Sequence, residues 1–136
     1  MIKLFFFFFF KQKTAYEIVS DEQAAIREAI VTGCRAADVD VVLINGGTGI
    51  ATRDVTIETV QALLTKEIVG FGELFRMLSY TEDIGSAAIL SRAIAGVVDD
   101  TAVFAMPGSS GAVKLAMHKL ILPELGHVVR EIRKDM

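Results

Sequence analysis

An almost uninterrupted apolar run, residues 39–44, leads directly into the sequence Gly-Gly-Thr-Gly at residues 46–49. The run is rich in β-branched side chains, which is typical of a strand buried on both faces of a sheet. Glycine lacks a Cβ, so the turn can adopt positive φ values and leave its N–H groups open to an anionic ligand. The sequence therefore predicts a strand, a tight turn suited to phosphate, and a helix capped by Thr56.

A second unit with the same order of elements follows later in the chain. The apolar segment 102–106 leads into Pro-Gly-Ser-Ser-Gly at residues 107–111, and a helix is expected to begin near Ala112. The carboxyl ends of neighbouring strands meet at one edge of an α/β sheet, so we expect the two loops to lie side by side.

The pair Asp99-Asp100 separates two apolar segments, residues 88–98 and 102–106. Such a pair predicts a turn, and hence a hairpin whose first strand is antiparallel at the edge of the sheet. Residues 88–95 also fit a helix. Apolar spacing predicts further helices. One runs from Asp21 to about Gly33, and one after Gly70 buries Phe71, Leu74, Phe75 and Leu78. The helix that begins near Ala112 is expected to end at Pro123, where a last helix begins.

Composition restricts the class of protein. The chain has 136 residues, 52% hydrophobic and 23% charged, which fits one globular unit rather than a disordered chain. A net charge of −3 argues against a nucleic-acid partner. The single Cys34 has no partner for an internal disulfide and no metal-ligand spacing to the two histidines, which favours a reducing cytoplasm.

The first twenty residues differ in character from the rest. Six consecutive phenylalanines, residues 5–10, are followed by the polar sequence KQKTAYEIVS. This run is shorter than the ~20 apolar residues of a membrane span, and no signal-peptide cleavage site follows it. We therefore predict no membrane association. Our hypothesis is that residues 1–20 are a non-native, disordered segment of low-complexity and adapter-like sequence; an intact mass of the natural protein that included them would contradict it.

Five blocks occur in order at compatible spacings: Gly-Gly-Thr-Gly at 46–49, Arg-Asp-Val-Thr at 53–56, Gly-Phe-Gly-Glu at 70–73, Ser91-Arg92, and Pro-Gly-Ser-Ser-Gly-Ala-Val-Lys at 107–114. Together they resemble the molybdenum cofactor biosynthesis proteins of the MoaB/MogA type, the molybdopterin adenylyltransferase family. The resemblance runs from about Asp21 to the C-terminus, so residues 21–136 would form a truncated molybdopterin-binding domain. It implies a three-layer α/β fold with a mainly parallel sheet and helices on both faces, from which the N-terminal strand, helix and second strand are missing, and a homotrimer.

The resemblance also implies an activity, the transfer of AMP from Mg-ATP to the phosphate of molybdopterin with release of pyrophosphate. By that resemblance Asp54 matches a catalytic carboxylate that would hold Mg²⁺, and Asp21 falls near a second catalytic acid. The resemblance also points to other proteins of molybdenum cofactor biosynthesis as partners. The residues expected to bind molybdopterin and nucleotide are Gly46, Gly47, Thr48, Gly49, Glu73, Pro107, Gly108, Ser109, Ser110 and Lys114.

Each side chain of this set also has an ordinary structural explanation. Asp54 and Glu73 would stabilise the positive ends of helices, and Asp21 would be a helix N-cap. The two serines would cap the next helix, and Lys114 would be a solvated surface residue. Arg53 fits either a ligand contact or an ion pair between subunits, and the role of Arg92 is equally open.

Other functions compete with the adenylyltransferase. Neither a P-loop sequence nor the dinucleotide-binding Gly-x-Gly-x-x-Gly is present, which argues against a conventional NTPase or NAD enzyme. A non-catalytic molybdopterin-binding protein of the same pathway is the main alternative. The related domain of competence/damage-inducible proteins is a third, although the chain ends without the additional catalytic domain.

Overall fold

The computed structural model describes residues 1–8 and 13–136. The strands are β1 (Ile2–Phe8), β2 (Lys13–Val19), β3 (Val41–Asn45), β4 (Lys66–Glu67), β5 (Ile94–Val98) and β6 (Thr101–Met106). The α-helices are α1 (Gln23–Arg35), α2 (Thr56–Leu63), α3 (Val69–Glu82), α4 (Ser110–Ala116) and α5 (Leu122–Arg133). A 3-10 helix covers Gly85–Leu90, and a π-helical segment covers Met117–Ile121.

The described strands form one mixed sheet in the order β2-β1-β3-β6-β5-β4. Strands β3 and β6 are parallel, with Val41 opposite Ala102 and Asn45 opposite Met106, whereas the other described pairs are antiparallel. The expectation of a mainly parallel sheet is therefore not met. The reason is local: the two-residue turn between β5 and β6 can join only antiparallel strands, and β1 runs antiparallel to both of its neighbours.

The hairpin predicted around Asp99-Asp100 is confirmed. Asp99 has φ 52°, a conformation that aspartate tolerates better than most side chains, and β5 pairs with β6 from Val98 opposite Thr101 onward. The helical alternative is wrong for Ile94 and Ala95, because the 3-10 helix ends at Leu90 and β5 follows. Strand β5 is also not the sheet edge, since β4 pairs with its outer side.

The N-terminal segment lies next to β3. Strand β1 pairs antiparallel with β3, with Leu4 opposite Ile44, and the side chains of Ile2, Leu4 and Phe6 are buried. Phe9, Phe10, Lys11 and Gln12 lie outside the described residues. A folded position does not reveal the origin of a sequence, so the non-native origin of residues 1–20 stays a hypothesis.

Helices cover both faces of the sheet, which confirms the three-layer α/β prediction. On one face α1 and α2 bury Ile26, Ile30 and Val60 against side chains of β1, β3 and β6. On the other face α3, α4 and α5 form a second core. Its buried aromatic residues are Phe71, Phe75 and Phe104, and the rings of Phe71 and Phe104 meet edge to face at 5.3 Å.

Two details of the helices correct the sequence-based expectation. In α3 the buried line runs through Phe71, Gly72, Phe75 and Ser79, so Leu74 lies well off that line and is 50% exposed. Pro123 does not end its helix. Its ring would clash with a carbonyl one turn back, and the helix avoids the clash by widening to a π-helical turn, in which the Leu122 N–H donates to the Met117 oxygen, before α5 continues.

Phe75 offers a direct test of the second core. Its side chain is fully buried, so Phe75→Ala should lower the free energy of unfolding by about 3–5 kcal/mol through lost burial and an unfilled cavity. Leu122→Ala is a matched control on an exposed helix position and should change stability by only about 0.5 kcal/mol. Urea unfolding at one fixed protein concentration measures both; equal losses would contradict the assignment of Phe75 to the core.

Candidate functional site

The two small-residue loops predicted from the sequence contact each other. They leave the ends of the parallel strands β3 and β6, where Asn45 is opposite Met106. The Gly46 N–H donates to the Met106 oxygen at 3.1 Å. A Cβ at Gly108 would lie 3.3 Å from the Gly46 Cα, so the second loop packs directly on the first. The expectation that the loops lie side by side is confirmed.

The first loop has a backbone that requires glycine. Gly46 and Gly47 have φ values of 99° and 65°, in the region that side chains with a Cβ rarely adopt. A Cβ at Gly47 would stand 2.4 Å from the Thr56 hydroxyl and 2.5 Å from Ile2. The Thr56 N–H donates to the Gly47 oxygen at 3.0 Å, which connects the turn to the start of α2.

Two threonines of this region differ from their predicted roles. Thr56 is the first residue of α2 rather than its cap, since Val55 holds the N-cap position. The Thr56 side chain is turned inward against Gly47, and its Oγ1 is buried without a hydrogen-bond partner among the described residues. Thr48 is only 5% exposed, so a ligand would meet the backbone of this turn more readily than the Thr48 hydroxyl.

Asp54 lies beside the glycine-rich turn. Its Oδ2 accepts a hydrogen bond from the Ala51 N–H at 3.2 Å, and its own N–H donates to the Ala51 oxygen at 2.9 Å. A Cβ at Gly49 would lie 2.6 Å from the same Oδ2, so the carboxylate is in contact with the turn. Asp54 precedes α2 by two residues, a position where a carboxylate also stabilises the helix dipole.

Arg92, whose role the sequence left open, reaches this loop from the segment before β5. Its Nε donates to the Thr48 oxygen at 3.0 Å, and its Nη2 donates to the Gly49 oxygen at 2.7 Å and to the Asp54 oxygen at 3.3 Å. The Glu58 carboxylate on α2 accepts from Nη1 and Nη2. The hydrogen bond from Arg92 lowers the pKa of Glu58.

The pairing of Arg92 with Glu58 is the contact that the sequence analysis missed. Glu58 lies on the second position after Thr56, where an acidic residue also suits the helix dipole, so nothing local singles it out. The only signal was the Ser91-Arg92 block, which shows that Arg92 matters without indicating its partner 34 residues away.

The second loop is organised by a serine cap. The Ser109 Oγ accepts a hydrogen bond from the Ala112 N–H at 3.2 Å and caps α4, which begins at Ser110, two residues earlier than predicted. Pro107 is half-buried, while Gly108, Ser109 and Ser110 are exposed. Lys114 is exposed in a cleft between α3 and α4, where Glu82 and Asp83 also lie.

Asp21 is at the same end of the sheet but has another partner. Its Oδ1 accepts from the ammonium of Met1 at 2.6 Å, and this hydrogen bond lowers the pKa of Asp21. The Met1 carbonyl oxygen would lie 2.9 Å from a Cβ on Gly46, so Met1 itself borders the turn. The N-cap interpretation of Asp21 is wrong, because Glu22 occupies the N-cap position of α1.

Glu73 is exposed on α3, and the hydrogen bonds and ion pairs of the described residues do not join it to either loop. It is the fifth residue of α3 rather than one of its first turn, which removes the helix-dipole interpretation as well. The ligand-binding role of Glu73 stays a prediction.

The acidic, histidine and cysteine side chains of the described residues form no group of three or more that could hold a metal ion. Mg²⁺ commonly takes only one or two protein carboxylates and completes its shell with water and substrate phosphates. Asp54, which lies beside the glycine-rich turn, fits that mode as a single carboxylate. Burial raises the pKa of the Cys34 thiol to about 12, so the thiol is protonated at neutral pH.

None of the described helices is long and apolar enough to cross a membrane.

Solved structures with the same fold carry related names. The crystal structure titled molybdenum cofactor biosynthesis protein B superposes with a TM-score of 0.85 at 66% identity, over 87% of this chain and 73% of that one. The tungsten cofactor synthesizing protein MoaB from Pyrococcus furiosus gives a TM-score of 0.72 at 41% identity, over 86% of this chain and 73% of its own. These chains share the α/β architecture described above.

The strained turn predicts a difference between two glycines. Gly47→Ala should lower the free energy of unfolding by about 1–3 kcal/mol, because alanine resists the positive φ value and its Cβ would meet Thr56 and Ile2. Gly70→Ala, in α3, has nothing within 4 Å of the new methyl group and should cost nothing or add up to about 1 kcal/mol. Thermal and urea unfolding compare them; a harmless Gly47→Ala would refute the described backbone.

Sequence comparison agrees with the fold. The chain is 69% identical over 121 residues to molybdenum cofactor biosynthesis protein B of Bacillus subtilis (strain 168), which covers 89% of this chain and 71% of the relative. The family model described as "Probable molybdopterin binding domain" matches residues 12–127. The chain belongs to this molybdopterin-binding domain family, and its relatives are named for molybdenum cofactor biosynthesis.

Proposed function

We propose that the protein transfers AMP from Mg-ATP to the terminal phosphate of molybdopterin, giving adenylated molybdopterin and pyrophosphate. The observation that carries the proposal is the contact between the two loops at Gly46 and Gly108. A reaction between two phosphate-bearing molecules needs both in one place, and two adjoining small-residue loops supply such a place. Family membership supports molybdopterin as one of the two ligands.

The backbone of both loops would bind the phosphates. Small residues let a ligand approach closely, and the N–H groups of turns with positive φ values form anion-binding concavities. In the first loop the Gly46 N–H already donates to the Met106 oxygen, so the groups left for a ligand are those of residues 47–49. The second loop has no positive φ value, and its N–H groups at residues 108–110 would bind through the close approach that small residues allow. Pro107 has no N–H and would act by fixing the direction in which that loop leaves β6.

Asp54 is the carboxylate best placed to act on the reaction. In the proposed step a phosphate oxygen of molybdopterin forms a bond to the α-phosphorus of ATP, and the bond from that phosphorus to the bridging oxygen breaks to release pyrophosphate. Magnesium would neutralise the charge that builds up on these oxygens. Asp54 would contribute one carboxylate oxygen to the ion while its Ala51 hydrogen bond orients the side chain.

Three further side chains have proposed roles at this site. Asp21 would be a second acid once its carboxylate is released from the Met1 ammonium. The ion pair between them is exposed and therefore weak. Lys114, one turn into α4, would bind a phosphate oxygen. Glu73 would act on the ligand from α3, as the family resemblance implies.

A binding protein without catalysis is the competing proposal. Its support is that the matching family model is described by molybdopterin binding and the relatives are named for cofactor biosynthesis, and neither description names a transfer of AMP. Such a protein would hold molybdopterin in the same loops for another protein of the pathway. A cytoplasmic location, expected from the single cysteine, remains a prediction in either case.

The two functions differ in their products. Purified protein incubated with molybdopterin and Mg-ATP should form adenylated molybdopterin, and Asp54→Asn should slow product formation by about 10²-fold or more, since it removes the charge that holds the ion. The matched control is Asp100→Asn, an exposed residue of the β5–β6 turn at the opposite end of β6, and it should leave the rate unchanged. Tight molybdopterin binding without product would favour the binding protein.

We also propose that the protein is a homotrimer. Large apolar side chains spaced three residues apart in the second half of α3 are at least 50% exposed, and further exposed ones follow at Ile84 and in the 3-10 helix. An exposed stripe of this kind usually marks an interaction surface. Its members are Leu74, Met77, Tyr80, Ile84, Ile89 and Leu90.

Light scattering after size-exclusion chromatography tests the trimer. The expected mass is three times the 14.8 kDa of one chain. Met77→Glu should shift the population toward monomer because it places a charge within the apolar stripe, while Leu122→Glu, exposed on α5, should leave the mass unchanged. A monomeric parent protein at all concentrations would contradict the proposal.

A further inference from the structure

Arg92 binds three backbone oxygens that belong to the two functional parts of the first loop. Two of them, from Thr48 and Gly49, lie in the glycine-rich turn, and the third belongs to Asp54. The guanidinium comes from a segment 38 to 44 residues away in sequence, so this is a tertiary contact and not a local turn. One side chain therefore joins the phosphate-binding turn to the residue that carries the carboxylate.

Glu58 fixes the orientation of this guanidinium. Its two carboxylate oxygens accept from Nη1 and Nη2, the fork geometry in which an arginine pairs best with a carboxylate. The Arg92 side chain is 30% exposed and Glu58 is 52% exposed. Because the two charges compensate each other, the pair adds little net positive charge to the loop. Its contribution is to orient the Arg92 guanidinium toward the backbone oxygens.

Because the peptide bond is planar, fixing the direction of a carbonyl oxygen also fixes the direction of the next residue's N–H. In a trans peptide the C=O of one residue and the N–H of the next point in opposite directions within one plane. No cis peptide bond occurs among the described residues. When Arg92 draws the oxygens of Thr48 and Gly49 toward itself, the N–H groups of Gly49 and Ile50 must point away from it. Neither N–H donates to an acceptor among the described residues.

We propose that Arg92, oriented by Glu58, is the positioning residue of the site. By binding the oxygens of Thr48, Gly49 and Asp54 it aims the N–H groups of Gly49 and Ile50 at an anionic ligand and holds Asp54 beside them. The identity of that ligand, a phosphate of molybdopterin or ATP, rests on the proposed function. The effect on the loop does not, since it follows from contacts within the chain.

Amide hydrogen exchange on the ligand-free protein tests the effect on the loop. Arg92→Lys keeps the charge but loses the planar fork, so the Asp54 and Thr56 amides, which donate to the Ala51 and Gly47 oxygens, should exchange about tenfold faster. The Ala102 amide, which donates to the Asp40 oxygen, should be unchanged. Glu58→Gln should give a smaller acceleration, and Arg27→Lys on the exposed side of α1 should give none. Unchanged exchange at Asp54 and Thr56 in Arg92→Lys would overturn the proposal.

Titration of ¹⁵N-labelled protein with Mg-ATP tests the ligand side separately. In the parent protein the Gly49 and Ile50 amide signals should shift on binding, and Arg92→Lys should weaken binding by about tenfold while its melting temperature stays near that of Arg27→Lys. Binding that shifts other amides, or that Arg92→Lys leaves intact, would refute the positioning role and leave the proposed function standing. If the parent protein binds no Mg-ATP, the proposed function fails, and the exchange measurement alone decides the positioning role.

Discussion

The parallel pairing of β3 with β6 is the constraint on which the rest of the site depends. It places Asn45 opposite Met106, so that both chains leave the sheet at the same edge and turn toward each other. The hydrogen bond from the Gly46 N–H to the Met106 oxygen continues the strand pairing into the loops. A pairing shifted by two residues along either strand would separate Gly46 from Gly108 and leave two unrelated turns.

Glycine is needed at this point for steric as much as for conformational reasons. Gly46 and Gly47 have positive φ values. Gly108 packs so closely on Gly46 that a Cβ at Gly108 would lie 3.3 Å from the Gly46 Cα. The close approach leaves backbone N–H groups, rather than side chains, as the surface that a ligand would meet. Arg92 then holds the far side of the first turn through carbonyl oxygens. Contacts within the chain therefore fix the backbone of the first loop without a ligand, and the proposed anion site requires such preorganisation.

The sequence predicted the elements that depend on local chemistry. The buried strand before the glycine-rich turn, the hairpin at Asp99-Asp100 and the amphipathic helices follow from side-chain periodicity and turn residues, and the structure contains them. The placement of the helices on both faces came from the family resemblance, and it is confirmed. Five short blocks were enough to identify the family. Features that depend on distant contacts were not predictable: the pairing of Arg92 with Glu58, the strand β1 beside β3, the strand β4 outside β5, and the π-helical turn that accommodates Pro123. Each of these is decided by residues far apart in sequence or by a small steric adjustment that leaves no repeating pattern.

The proposed site binds one phosphate-bearing ligand between the loops at residues 46–49 and 107–111. A crystal structure of the protein grown with Mg-ATP and molybdopterin tests this most directly. We expect phosphate oxygens within hydrogen-bonding distance of N–H groups from both loops, with Asp54 facing the same oxygens. Ligand phosphates bound to a different surface, or touching only one of the two loops, would contradict it.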